Sequence, residues 1–199
     1  MRVIVGLHNP ERAYSGTRHN IGAEVIALLA TTNGARLRRG PRGVRCRMAR
    51  VVVDGVPGLL ALPQASMNVC GPSVRSAVAY YKAEPSDLLV LHDDIDLPFG
   101  RLRLQKGRGH GGHNGVRSVM QALGTPGFWR LKVGVGRPPE GMNPANFVLS
   151  RFFKEERSEV SSMVEDAARV VEVFMTDPER AVALAGGRRP ANPGRTPGG

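Results

Sequence analysis

The sequence predicts a single α/β domain, a mixed central β-sheet flanked by helices, on three observations. Short apolar runs of strand character alternate with segments of helical spacing from the N-terminus to about residue 175. Glycine, proline, asparagine and aspartate punctuate the junctions between them. A length of 199 residues is enough to bury one sizeable core.

Each element follows from its local pattern. Arg2–Leu7 reads as a buried first strand, and Asn20–Thr31 has helical spacing through Ile21, Val25, Leu28 and Leu29. Cys46–Val53 and Gly58–Leu62 read as strands flanking an Asp54-Gly55 turn. Val69–Lys82 is a helix stopped before Pro85, and Leu88–His92 is an apolar central strand. Arg101–Leu104 alternates like an edge strand, Asn114–Leu123 is a helix opening after a glycine loop, and Leu131–Val135 is another strand. Glu155–Met175 is amphipathic, with Val160, Met163, Val164, Ala167, Val171 and Phe174 on one side. The domain is expected over 1–185. Residues 186–199, made of Gly, Pro, Arg and Ala, are expected to form a disordered basic tail.

Charge narrows the partner. There are 28 Lys plus Arg against 17 Asp plus Glu, a net +11, which favours a polyanion, nucleic acid ahead of membrane. Seven arginines and no acid lie between Arg36 and Arg50; a solvated surface loop is the plain alternative there. Aromatics are only 5% of residues, which disfavours a single-strand binder built on stacking and leaves phosphate contact with a folded A-form helix. No run of about 18 apolar residues occurs, so no transmembrane helix is expected. The opening Met-Arg-Val-Ile-Val-Gly enters a strand without signal-peptide regions, and Cys46 and Cys70 lack metal or redox spacing. A cytoplasmic protein is the simple expectation.

The chemistry concentrates at strand ends. Asn9, His19, Asn68, Asp93 and Asn114 each end an apolar run or lie in the loop after it, where an open α/β sheet gathers its loops at one crevice. A neutral imidazole there can take a proton from water attacking a carbonyl, and Asp93 is the carboxylate able to orient His19. Asp93, Asp94 and Asp96 could ligate Mg²⁺, but no phosphate-chelating loop completes such a site, and Asp96 reads as turn chemistry. Gly107-Arg108-Gly109-His110-Gly111-Gly112 satisfies G-x-G-x-x-G, yet the next strand ends without the acid a dinucleotide site needs. A glycine lid that sets Asn114 at a helix N-terminus fits better. His110-x-x-His113 lacks a third zinc ligand, and Cys70 reads as a small buried residue at a helix start rather than an activated thiol. No cofactor or metal is expected.

These motifs together resemble the bacterial peptidyl-tRNA hydrolase family over Arg2 to about Pro178. The resemblance rests on Val-Gly-Leu-His-Asn-Pro at 5–10, Thr-Arg-His-Asn-Ile-Gly at 17–22, Met-Asn at 67–68, His-Asp-Asp-Ile-Asp-Leu at 92–97, Gly-His-Gly-Gly-His-Asn-Gly at 109–115 and Lys-Val-Gly-Val-Gly-Arg-Pro at 132–138. It implies a monomeric, cofactor-free α/β hydrolase that cleaves the ester between a peptide and the 3′ end of tRNA. By position it implies His19 as the base activating water, Asp93 as its partner and Asn9 as a reader of blocked against free aminoacyl groups. Asn68 and Asn114 would hold the peptide backbone and the developing oxyanion, with Tyr14, Ser66 and Met67 around the 3′-end pocket. Two basic side chains would grip a tRNA phosphate. Lys132 takes one of those positions, while Gln105 stands at the other with Lys106 beside it.

Four features depart from the family pattern. Ser66 replaces an aromatic, Glu11 and Arg108 replace glycines, and the C-terminal end past Pro178 reads as a low-complexity tail in place of a last helical stretch. They motivate a second expectation, a specialised tRNA-binding paralogue with altered acyl preference or little turnover.

Overall fold

The computed structural model describes residues 1–190. Strand β1 (Arg2–Gly6) is buried from Val3 onward. Two 3₁₀ turns, Arg12–Tyr14 and Arg18–Asn20, lead into helix α1 (Ile21–Thr32). The antiparallel strands β2 (Arg38–Arg39), β3 (Cys46–Val53) and β4 (Val56–Pro63) follow. Asp54 and Gly55 join the last two with φ of 49° and 78°, the left-handed pair that a two-residue hairpin requires. Next come α2 (Gly71–Tyr80), β5 (Leu88–Asp94), β6 (Leu102–Lys106), α3 (Asn114–Leu123) and β7 (Trp129–Gly134). The last helices among the described residues are α4 (Pro144–Val148), α5 (Arg157–Thr176) and α6 (Pro178–Gly187).

The seven strands form one mixed sheet in the order β2-β3-β4-β1-β5-β7-β6. The inner four, β4-β1-β5-β7, are parallel, and antiparallel strands flank them on both sides. The side chains of α1, α5 and α6 pack with Leu89, Leu91, Leu131 and Val133 on one face. Those of α2 and α3 pack with Val3, Val5, Leu88 and Val90 on the other. Strand alternation makes both faces apolar, so β5 reads as a continuous hydrophobic run. From β1 the chain goes to β4 on one side and later returns to β5 on the other. The carboxyl ends of β1 and β5 are therefore the switch point where such sheets open a crevice.

Glycines let α1 press against that point. A Cβ on Gly22 would lie 2.4 Å from the Leu91 carbonyl oxygen, and one on Gly6 would lie 2.4 Å from the Gly22 carbonyl oxygen. Helix, β1 and β5 thus touch backbone to backbone. Gly22→Ala is expected to destabilise the fold by about 1–3 kcal/mol, because a backbone contact cannot rotate away. Urea unfolding reads this; an unchanged midpoint would mean that α1 is free to shift.

The C-terminal region differs from its expectation. Residues 178–187 form a helix, with Asp177 capping it through the Arg180 N–H and Ala181 and Ala185 fully buried. Arg188, placed by composition in a tail that buries nothing, is buried between Glu159 (2.7 Å) and Asp166 (2.9 Å) and also donates to the Gly100 carbonyl. Alanines bury a face without a strong apolar signal, and the arginine is neutralised by acids 22 and 29 positions away. The rest of the expected tail, 191–199, lies outside the described residues. Among the described residues no helix is long and apolar enough to cross a membrane.

Candidate active site

At the switch point lies a cleft of about 510 Å³. His19 enters it from the turn before α1, and Asp93 enters from the last part of β5. His19 Nδ1 is 2.8 Å from Asp93 Oδ1. His113, from the glycine loop, places its Nε2 2.9 Å from the same oxygen. Its Nδ1 accepts the Val116 N–H and caps α3, which assigns the His113 proton to Nε2. Two imidazoles therefore donate to one carboxylate oxygen, and the His19 Nε2 lone pair is left over for the cleft.

Burial works to raise the Asp93 carboxyl, but the adjacent His113 and the hydrogen bonds from His113 and His19 outweigh it. The group is held well below the usual carboxylate range, so it stays an anion. His92, packed edge-on to His113 at 4.6 Å, is driven down to about 3 by burial and then by His113, against the pull of Asp93, and is neutral. Its Nδ1–H donates to the Asp93 carbonyl at 2.6 Å.

The carboxamides are oriented by their neighbours. Asn9 Oδ1 accepts the Met67 N–H at 2.8 Å, and Asn114 Oδ1 accepts from Arg117 at 2.8 Å. With each oxygen engaged, the NH₂ groups are the ends left to donate into the cleft that both residues line. Asn20 holds Asn9 from both sides, accepting its N–H at 2.9 Å and donating to its carbonyl at 3.0 Å. Tyr14, Ser66, Met67 and Asn68 complete this wall, with Met67 buried and Asn68 exposed. Ser66 and Glu11, both departures from the family pattern, bond to each other at 3.1 Å on the cleft rim.

The basic pair is not brought together. Lys132 binds Asp94 Oδ2 at 2.6 Å and shares a depression with Arg103, Gln105 and Arg108. Lys106 stands on the other face of the sheet, its Nζ 5.8 Å from the Trp129 ring centroid. Alternation is the reason: Lys106 follows Leu102 and Leu104 in phase, whereas Arg103 is the residue in register with Lys132. The turn after β5 is held by Asp94, which accepts the Asp96 and Leu97 N–H groups, while Asp96 pairs with exposed Arg137.

Two positioning arginines were not singled out from sequence. Arg130, 1% exposed, donates to the Gly109 and Arg108 carbonyls at 2.7 and 2.9 Å and ties the glycine loop to β7. Its signal was an arginine one residue from Leu131 in a strand with apolar neighbours. Arg18, fully buried, fixes the turn that carries His19. Its partner Glu156 is 138 residues away, beyond the reach of any local pattern.

His19 Nδ1, Asp93 Oδ1 and His113 Nε2 all lie within 4.8 Å of one another, a geometry that could also hold a metal ion. An ion would have to take both ring nitrogens from the carboxylate they already satisfy. Neither cysteine is activated: burial foremost pushes both thiols up to about 12.

The sheet topology and this cleft define an open α/β protein whose polar groups are collected at the strand ends, a setting suited to attack on a carbonyl. The chain matches the family model described as peptidyl-tRNA hydrolase over residues 3–190. Peptidyl-tRNA hydrolase of Frankia casuarinae is 44% identical over 175 residues, covering 88% of each chain. That of Mycobacterium ulcerans is 45% identical over 177 residues, 87% of this chain and 90% of its own. A crystal structure of peptidyl-tRNA hydrolase from Acinetobacter baumannii aligns with a TM-score of 0.89 at 32% identity, covering 96% of this chain and 97% of that one. The chain belongs to the peptidyl-tRNA hydrolase family, and its activity is hydrolysis of peptidyl-tRNA.

Proposed function

We propose that His19 is the general base of this hydrolysis, with Asp93 as its orienting partner. The observation that carries the reading is the 2.8 Å contact between His19 Nδ1 and Asp93 Oδ1 inside the cleft. With that proton fixed on Nδ1, Nε2 accepts a proton from water as the water oxygen attacks the ester carbonyl. The tetrahedral oxyanion receives N–H donation from Asn114, while Asn9 and Asn68 bind the acyl amide. Collapse expels the 3′ ribose oxygen, which recovers the proton from His19, and the products are a free peptide acid and tRNA.

Asn9 reads the blocked amino end through its fixed NH₂ group. Tyr14, Met67 and Ser66 receive the terminal nucleotide, and the Glu11–Ser66 pair makes that rim polar, which favours an altered 3′-end or acyl preference over lost turnover. Lys132 meets a tRNA phosphate. Lys106, on the opposite face, is set aside from this role. The protein works as a monomer in the cytoplasm, without cofactor or metal.

N-acetyl-aminoacyl-tRNA is the test substrate. The wild-type protein releases its acyl group, leaves unblocked aminoacyl-tRNA largely intact, and loses most of the rate in His19→Ala. A His19→Ala variant that matches wild type would remove the imidazole from the reaction.

A further inference from the structure

The stretch of seven arginines plays no part in the cleft. All of Arg36, Arg38, Arg39, Arg42, Arg45, Arg47 and Arg50 are exposed. Among the described residues none of them forms an ion pair. Strand β2 consists of Arg38 and Arg39 alone, and Arg39 lies directly opposite Arg47 on β3. Like charges across an antiparallel pair are destabilising. A fold that keeps them there without a carboxylate holds a surface whose electrostatics are completed from outside.

This surface is built rather than loose. Gly40 N–H donates to the Cys46 carbonyl at 2.8 Å, Val44 N–H to Pro41 at 2.9 Å, and Gln64 N–H to Arg45 at 2.8 Å. Val44 and Cys46 are buried beneath the loop. The result is a concave cup whose rim carries Arg39, Arg42, Arg45 and Arg47, with Gln64 at its edge. Guanidinium forks match phosphate oxygens in geometry as well as charge.

Its position links it to the cleft. Cys46 pairs with Pro63, so the cup stands at the carboxyl end of β4, the same end of the sheet as His19 and Asp93. Gln64 lines the cup and Ser66 lines the cleft, and two residues span no more than about 7 Å. On the far side, Arg103, Arg108 and Lys132 form the other basic depression. From β3 to β7 is four strand steps, roughly 19 Å at the usual spacing. An RNA whose end enters the cleft has cationic surface on both sides of it.

We propose that the Arg39–Arg47 cup is a second RNA-backbone site, taking phosphates of the substrate's helical body beyond the acylated end. This rests on the tRNA-hydrolysis reading above. The test is the triple variant Arg39→Gln, Arg42→Gln, Arg45→Gln, with the Arg→Lys triple as the charge-conserving control. Two substrates are compared: N-acetyl-aminoacyl-tRNA and the same acyl ester on a short oligonucleotide with the same 3′ end. The Gln triple should raise KM for the tRNA about tenfold or more, leave kcat unchanged and leave the short substrate unaffected. The Lys triple should recover part of the loss. Direct titration with deacylated tRNA should give a log–log salt slope shallower by about 0.9 for each phosphate that is no longer neutralised. That titration reads the cup even if no ester is cleaved, which separates its failure from failure of the hydrolytic reading. An unchanged tRNA affinity and salt slope, or an equal loss on both substrates, overturns the proposal.

Discussion

Asp93→Asn is expected to lower turnover of N-acetyl-aminoacyl-tRNA by about 10²–10⁴-fold while leaving KM nearly unchanged. The carboxylate accepts hydrogen bonds from His19 Nδ1–H and His113 Nε2–H on one oxygen and is held as an anion by both. An amide keeps the size but not the charge. With its oxygen toward His19 it no longer stabilises the imidazolium that forms as water is deprotonated. With its NH₂ toward His19 it forces the proton onto Nε2 and removes the base altogether. Either orientation acts in the transition state more than on bound substrate, so kcat carries the loss. His113→Ala separates the two donors, since it leaves the His19 contact in place and should cost much less. An Asp93→Asn enzyme within threefold of wild type would show that the His19 contact is structural.

The second large effect is on stability. Arg18→Ala should destabilise the fold by about 3–5 kcal/mol, because it leaves Glu156 buried without its cation. The guanidinium pairs with Glu156 at 2.6 Å, bonds Ser150 at 3.0 Å, donates to the Arg151 carbonyl and stacks over Phe147 with 4.3 Å to the ring centroid. Burial pulls its pKa down and Glu156 pulls it back up. Replacing both partners, Arg18→Met with Glu156→Leu, should recover much of the loss, since no charge is then stranded. Denaturant unfolding of Arg18→Met, Glu156→Leu and the double closes the cycle, and singles within about 1 kcal/mol of wild type would contradict a buried pair. The His19 turn hangs from this anchor, so activity should fall with stability in the single variants.

What could be read from the chain depended on the range of each interaction. The Asp54-Gly55 hairpin, α1 and α5 announce themselves through turn chemistry and periodicity, which are local. His19, Asp93 and the asparagines were legible because strand ends converge in any open α/β sheet. Arg18 and Arg188 were not, because the acids that make their burial tolerable lie far away in sequence. Helix α4 has only five residues, too few to display a period, yet it supplies Pro144, Ala145 and Val148 to the cleft. Lys106 was misplaced because adjacency in a strand means opposite faces. His113 read as half of a metal pair or part of a lid, and its share of Asp93 became visible only in three dimensions.

Backbone-to-backbone seating of the first helix on β1 and β5 has a kinetic meaning. The fold itself holds the His19 imidazole against the Asp93 carboxylate, so the proposed mechanism needs no rearrangement to bring them together. On the proposed mechanism, discrimination then falls to the groups that meet the acyl end within the cleft, Asn9 among them.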